Sequence, residues 1–327
     1  MRGEAPAGLQ VACSVAAALP SPCAQLVHQN VRSGVHPLSS ALTAARPRIY
    51  SLSAQRGTSS LLPTTEGQRM YHPTLSSAVT RRIWGSPDAI LLFFAGGAAE
   101  FAAIKAVDWL FFTRRLPGAP VERFFETVRF AQRVFFGDPA GATDAIERIN
   151  CIHRRVEEAR GEEIPQWAYR DMLFILIDYG ERAHEVVFGP MTEAERASHF
   201  GVALALGRAM HLSGLPATYA DYRDQRHQQL LADYARSPLT DELYGSYRRA
   251  LGPLRFRLLG LVQASVLPGE LRNVLRLEPY PLVEELLRCY RFVPGGGNKL
   301  RPLHGVLLPG RFARQLREME RAPDAAQ

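Results

Sequence analysis

The chain has 327 residues, of which 46% are hydrophobic and 22% are charged. This length is sufficient to bury a large core, and the composition excludes a chain that is disordered throughout or fibrous. The four cysteines lie at positions 13, 23, 151 and 289 and form no CxxC pair, so the sequence gives no sign of a structural zinc site or of a disulfide scaffold.

The net charge of +7 is concentrated near the N-terminus. Residues 1–69 hold six arginines and two glutamates, which gives +4 in this segment and leaves about +3 for the remainder of the chain. The arginines of the remainder alternate with acids along helical segments and do not cluster with aromatic residues. We therefore predict that the protein does not bind nucleic acid.

Residues 1–78 are predicted to be an extension that is either disordered or a targeting segment. They are rich in Ala, Ser, Pro and Arg, contain few acids and show no sustained periodicity. A cytoplasmic location is favoured, whereas an organellar or secreted location follows if residues 1–70 are a targeting segment. An alternative is that the functional chain begins near Met70. We place the folded domain at residues 79–315 and a flexible tail at residues 316–327.

From residue 86 onward, the pattern is helical almost throughout. Segments of about 15 to 25 residues with helical spacing are separated by breaks that contain Gly or Pro, and strand-like alternation is rare. No repeat of fixed period appears, which disfavours a solenoid. The sequence predicts an all-α fold with a single multi-helix domain. The breaks lie at residues 116–120, 137–139, 161–165, 188–190, 213–216, 236–238, 251–253, 267–269 and 293–297.

The apolar run at residues 89–112 is long enough to span a bilayer, but it contains Glu100, Lys105 and Asp108. We predict a central helix that is buried in protein; a membrane anchor is the alternative. Buried charges are either paired or functional, so Glu100 is a candidate catalytic residue. The alternative for Glu100 is a structural ion pair with an arginine.

Residues 121–138 predict a helix with two inward faces. One face is apolar and contains Val121, Phe124, Phe125, Val128 and Phe135. The second contains Arg123, Thr127, Phe130 and Val134. The turn RFFET is therefore predicted to present the cation of Arg123, the hydroxyl of Thr127 and the carboxylate of Glu126 to one pocket. The alternative is an Arg–Glu pair that joins two helices.

Residues 138–161 predict one amphipathic helix, with Asp138 as its N-cap and Gly161 as its stop. His153 lies on its apolar stripe with Ile146, Ile149 and Val156. Spacing alone favours a core histidine whose ring N–H bonds a carbonyl; the alternative is a metal or cofactor ligand. The other histidines considered form no HExxH or facial-triad pattern, which disfavours a non-haem metal centre; they lie at positions 184, 199, 211 and 227.

Four segments resemble the mpaB-like and rubber oxygenase family over residues 82–310. The resemblance rests on FAGGAAEFAAIKAVDWLFFT, VERFFETV, RINCIHRRVEEARGEEIPQWAYRDMLF and GRAMHLSGLPATYADY. It implies an all-α domain that binds haem b, with His153 as the proximal iron ligand and Arg123 and Thr127 on the distal side. The rubber oxygenase has a lysine before this threonine that can ligate the iron, whereas this chain has Glu126.

The resemblance also implies a function. We predict a haem b-dependent oxygenase that uses dioxygen on a hydrophobic substrate, such as an isoprenoid or another alkene. Glu100 or Glu126 would act as a base toward an allylic proton or direct protons to oxygen. Membrane association is allowed but not required. The alternative is a haem- or lipid-binding helical protein without turnover, in which RFFET is a structural pair.

Overall fold

The computed structural model describes residues 75–321. Within this range the chain forms fifteen α-helices, one short 3-10 helix and no strand, which confirms the all-α prediction. The helices are α1 Ala78–Gly85, α2 Pro87–Ala103, α3 Val107–Phe112, α4 Arg115–Gly118, α5 Pro120–Phe136, α6 Pro139–Arg160, α7 Gln166–Phe188, α8 Glu193–Ala209, α9 Tyr219–Ala232, α10 Pro238–Leu251, α11 Pro253–Val266, α12 Gly269–Leu275, α13 Pro281–Tyr290, the 3-10 helix Arg301–Leu303, α14 His304–Leu307 and α15 Gly310–Glu318.

The ends of α6 follow the sequence signals. The side chain of Asp138 accepts a hydrogen bond of 2.7 Å from the Gly141 amide and so satisfies one of the free N–H groups at the start of the helix. Gly161 ends the helix in the left-handed conformation, at φ 74°. Both predicted ends of the helix that carries His153 are confirmed.

Helix α2 is the buried centre of the domain, as predicted. Fifteen of its seventeen residues are buried, and α7 is the helix that packs against it most extensively. The two helices come so close that a Cβ at Gly96 would lie 2.0 Å from the ring of Tyr179, so only glycine fits there. The apolar run at 89–112 is broken at Ile104, and α3 begins at Val107. No helix within residues 75–321 is sufficiently long and apolar to cross a membrane.

Helical structure within the described residues runs from Ala78 to Glu318. The extension predicted for residues 1–78 lies mostly outside the described residues, but α1 already begins at Ala78, and the Ser76 hydroxyl donates to the Phe135 carbonyl at 2.7 Å. At the other end, α15 continues through residue 318. Leu316 and Met319 are buried, and Gln132 donates to the Met319 carbonyl at 2.6 Å. Leu316 and Met319 therefore pack into the core, while Arg317 and Glu318 between them are exposed.

Candidate functional site

Helices α5 and α6 pack side by side and carry most of the predicted site residues. Their connection is only two residues long, which favours antiparallel neighbours. The structure brings Arg123 of α5 close enough to His153 of α6 for its positive charge to lower the pKa of the imidazole. The sequence-predicted cation and imidazole therefore lie within electrostatic range of each other.

His153 is half-buried and neutral. Desolvation by burial lowers its pKa to about 4; the charge of Arg123 lowers it as well, and Glu157 opposes both. Its ring lies 5.1 Å from the ring of Tyr169, between centroids. No described residue forms a hydrogen bond with either of its ring nitrogens. The imidazole thus keeps a lone pair available, and the carbonyl-bonded core histidine that spacing alone favours is not what the structure contains.

The carboxylate of Glu157, one turn after His153 on α6, connects this site to the start of α7. Glu157 accepts hydrogen bonds from the Ile164 amide at 2.9 Å and from the Tyr169 hydroxyl at 3.2 Å. These bonds join the end of α6 to the start of α7 and place the Tyr169 ring against His153. Sequence reasoning missed both Glu157 and Tyr169, although the spacing of four residues between His153 and Glu157 indicates a shared helix face.

The same face of α6 continues to Arg160, seven residues after His153 and about 10 Å along the helix axis. The guanidinium of Arg160 lies 3.8 Å above the Trp109 ring and pairs with Asp108 at 2.6 Å. Trp109 and Phe112 of α3 are only half-buried. Helix α3 therefore places aromatic side chains beside the face of α6 that carries His153.

The polar side chains of the RFFET turn form hydrogen bonds within α5. Arg123 donates to Glu126 at 3.0 Å within one turn of α5, and both side chains are more than one third exposed. This bond lies within one helix, and the alternative of an Arg–Glu pair that joins two helices stays a prediction. The Thr127 hydroxyl donates to the Arg123 carbonyl at 3.1 Å, which leaves its oxygen as an acceptor for any other group.

Glu100 lies in a separate and fully buried network. Its two oxygens accept bonds of 2.5 and 2.8 Å from the Arg226 guanidinium, and the Tyr234 hydroxyl also donates to it. Asp178 accepts a further bond of 2.8 Å from Arg226. Both Glu100 oxygens therefore have donors, which is the arrangement of the structural ion pair. A catalytic role for Glu100 stays a prediction.

Two carboxyl groups near this network are shifted toward the protonated form. Burial raises the pKa of Asp171 to about 8, with a further rise from Asp233. Burial raises the pKa of Glu181 to about 7, although a hydrogen bond from Tyr219 and the charge of Arg196 oppose the rise. One oxygen of each, Oδ2 of Asp171 and Oε1 of Glu181, is buried without a protein partner.

A cleft of about 420 Å³ opens beside Asp178 and Glu181, between α7, α9 and α12. Its walls include Arg182, Arg223 and Arg272, and neither His153 nor Arg123 lines it. A wall of charged side chains suits a small polar ligand and not an apolar macrocycle. We therefore locate the candidate cofactor position at His153 and not in this cleft.

The described residues hold no group of three or more His, Cys, Asp or Glu side chains that could bind a metal ion. A metal held entirely by protein side chains requires such a group, whereas haem iron requires one axial protein ligand. Three other histidines within the described residues are buried. His184 lies 3.2 Å from the Gly189 carbonyl, and Nδ1 of His199 lies 3.2 Å from the Thr80 hydroxyl. Nε2 of His199 and both ring nitrogens of His304 are buried without a hydrogen-bond partner. His153 differs from these three histidines because its ring lies at a half-buried face and is not fully enclosed.

The described residues form a helical domain in which the half-buried His153 lies within electrostatic range of Arg123. Residues 81–294, more than half of the chain, match the family model described as ER-bound oxygenase mpaB/B'/Rubber oxygenase, catalytic domain. The chain therefore belongs to this family of oxygenases, which places it among the oxidoreductases. No curated protein and no solved structure matches the chain.

Proposed function

We propose that this protein is a haem b-dependent oxygenase that uses dioxygen to oxidise a hydrophobic alkene, such as an isoprenoid chain. The observation that carries the proposal is the neutral, half-buried imidazole of His153, whose nitrogens have no described partner. A neutral imidazole is the form that binds iron, and it needs no deprotonation at physiological pH. Families similar to the rubber oxygenase are haem-associated in general.

Three features of the chain support the fit to haem. His153 would hold the iron through a ring nitrogen, Arg123 would offer a cation for a propionate or for developing negative charge, and Trp109 and Phe112 would offer half-buried aromatic surface. When bound, the haem supplies the iron at which dioxygen is activated. Glu157 and Tyr169 hold the His153 ring in position from the opposite side.

The residues of α5 have separate roles in this proposal. Arg123 donates a hydrogen bond of 3.0 Å to Glu126 and so keeps the Glu126 carboxylate beside the proposed haem site. This carboxylate is the candidate base for an allylic proton of the substrate. Thr127 acts as a hydrogen-bond acceptor, because its own proton is committed to the Arg123 carbonyl. The substrate class rests on the family and on the apolar side chains at this face.

The test is dioxygen consumption by the purified protein after reconstitution with haem b. Squalene is the alkene probe, and squalane, its saturated counterpart, is the matched control. We expect uptake of dioxygen with squalene only, and a lower rate in Glu126→Gln with the haem absorption band unchanged. A haem-loaded protein that consumes no dioxygen with any isoprenoid alkene would contradict the enzymatic proposal and would favour the non-catalytic haem-binding alternative.

A further inference from the structure

The exposed apolar surface of this protein is concentrated in one part of the chain. Of the nine large hydrophobic side chains that are exposed among the described residues, eight lie between residues 254 and 306. They are Leu254, Tyr280, Leu282, Leu286, Phe292, Val293, Leu303 and Val306. Large exposed apolar patches mark interaction sites, so this part of the surface requires a partner.

Helix α13 and the loop after it form the most exposed part of this region. No residue of α13 is buried, although its sequence, PLVEELLRCY, is strongly amphipathic. Leu282 and Leu286, one turn apart, are each 60% exposed, and Phe292 in the following loop is 74% exposed. The Arg291 guanidinium lies 4.8 Å from the Phe292 ring centroid. An exposed aromatic tip beside a cation suits the interface between headgroups and acyl chains.

Buried polar bonds hold this loop in place. Asp88, which is fully buried at the start of α2, accepts bonds from the Lys299 amide at 2.6 Å and from the Tyr290 hydroxyl at 2.7 Å. The Lys299 ammonium donates to the Val187 carbonyl at 2.8 Å and to the Tyr290 carbonyl at 3.0 Å. The exposed tip at Phe292 therefore projects from a fixed support, so little ordering is needed when it binds.

The charges that follow Leu286 as far as Arg317 have one sign, whereas α13 also holds Glu284 and Glu285, and Glu285 pairs with Arg288 at 3.0 Å. Residues 286–317 contain seven cations and no acid: Arg288, Arg291, Lys299, Arg301, Arg311, Arg314 and Arg317. The expected alternation of arginines with acids therefore fails in this segment. Lys299 is committed to backbone carbonyls, and Arg311 pairs with Glu122 at 2.6 Å. Arg291, Arg301, Arg314 and Arg317 are exposed.

We propose that α13 and residues 291–306 dock onto the surface of an anionic lipid bilayer. Leu282, Leu286 and Phe292 enter the interface, while Arg291 and Arg301 meet lipid phosphates and carboxylates. A second copy of the chain does not suit this face, because a symmetric contact would place like charges against each other. Nucleic acid would bind the arginines but would leave Leu282 and Leu286 exposed to solvent. The proposal does not depend on haem binding.

The test is flotation of the full chain with vesicles of phosphatidylcholine and phosphatidylserine in equal parts, and with vesicles of phosphatidylcholine alone. We expect binding to the mixed vesicles that weakens as salt is raised. The variant Leu286→Ser/Phe292→Ser should reduce the partition coefficient by at least about tenfold. Its matched control is Leu231→Ser, because Leu231 is 61% exposed but lies outside the region.

The variant Arg291→Gln/Arg301→Gln tests the charge requirement, with Arg208→Gln as its control on an exposed arginine of α8. Each lost cation should weaken binding to the mixed vesicles about fivefold. Circular dichroism confirms that every variant is folded. Equal binding by the Leu286→Ser/Phe292→Ser variant and the parent would overturn the proposal. The proposal would also be overturned if the parent formed a dimer without lipid that the Leu286→Ser/Phe292→Ser substitutions dissociate. Tighter binding of an oligonucleotide than of the mixed vesicles would overturn it as well.

Discussion

Two parts of this helical domain place ionisable side chains away from solvent, and they differ in whether those side chains already have partners. Around Glu100, both carboxylate oxygens accept bonds from Arg226, and Asp178 shares the same guanidinium. Around His153, the imidazole contacts Tyr169 and lies near Arg123, but no described residue bonds its nitrogens. Burial is complete at Glu100 and partial at His153.

The comparison shows that burial of a charged residue alone does not identify a functional site. A buried carboxylate with every oxygen satisfied has its ionised form stabilised by the protein and can offer little to a substrate. A half-buried neutral imidazole whose nitrogens have no described partner can still accept a hydrogen bond or bind a metal ion. The availability of a lone pair therefore distinguishes a candidate ligand from a structural residue.

The largest effect expected from this comparison is on stability. Glu100→Leu removes the buried partner of Arg226 and should lower the free energy of unfolding by roughly 3–5 kcal/mol, because a buried guanidinium loses its bidentate acceptor. Urea denaturation measures the loss. The control Glu126→Leu removes a carboxylate that is 40% exposed, and its cost should be about 1 kcal/mol or less. Equal losses of unfolding free energy in Glu100→Leu and Glu126→Leu would show that the buried ion pair of Glu100 does not stabilise the fold more than an exposed pair does.

A second effect concerns Asp171, beside the same network. Its pKa is raised to about 8 in the folded protein, so the folded state keeps a proton that the unfolded chain releases near pH 4. The stability from this group is present below pH 4 and is lost as the pH rises toward 8, at up to about 1.4 kcal/mol per pH unit. Asparagine is uncharged, like the protonated carboxyl of Asp171. In Asp171→Asn the free energy of unfolding should therefore change less with pH between pH 4 and 8 than it does in the parent. If denaturation midpoints of the variant and the parent change in parallel between pH 4 and 8, the assignment to Asp171 is wrong.

The smallest effect concerns the coupling between Arg123 and His153. Burial is the main cause of the lowered pKa of His153, and Arg123 adds to it. Arg123→Gln should therefore raise the pKa of His153 by only a fraction of a unit above about 4, which an NMR titration of the haem-free protein can measure. The matched control Arg154→Gln removes an exposed arginine next to His153 in the sequence. A shift as large in the control as in Arg123→Gln would contradict the proposed arrangement of α5 and α6.

Local features of the sequence predict much of this structure. The Asp138 cap, the Gly161 stop and the burial of α2 depend on neighbouring residues and helical spacing, and all three are confirmed. The partner of Glu100 could not be predicted, because Arg226 is 126 residues away and only the packing of the helices brings the two together. Glu157 and Tyr169 were missed because their bond crosses the connection between α6 and α7. The burial of Phe312 and Leu316 was not predicted, because α15 is short and rich in arginine.

The most direct test of the central claim is a haem titration of the purified protein, followed by its Soret absorption, in His153→Ala and in His227→Ala. His227 is an exposed histidine of α9, so its loss controls for non-specific binding. We expect the parent and His227→Ala to bind haem stoichiometrically with the same spectrum. We expect His153→Ala, still folded by circular dichroism, to lose that spectrum and most of the affinity. An unchanged Soret band and affinity in His153→Ala would show that another residue ligates the iron and would contradict the account.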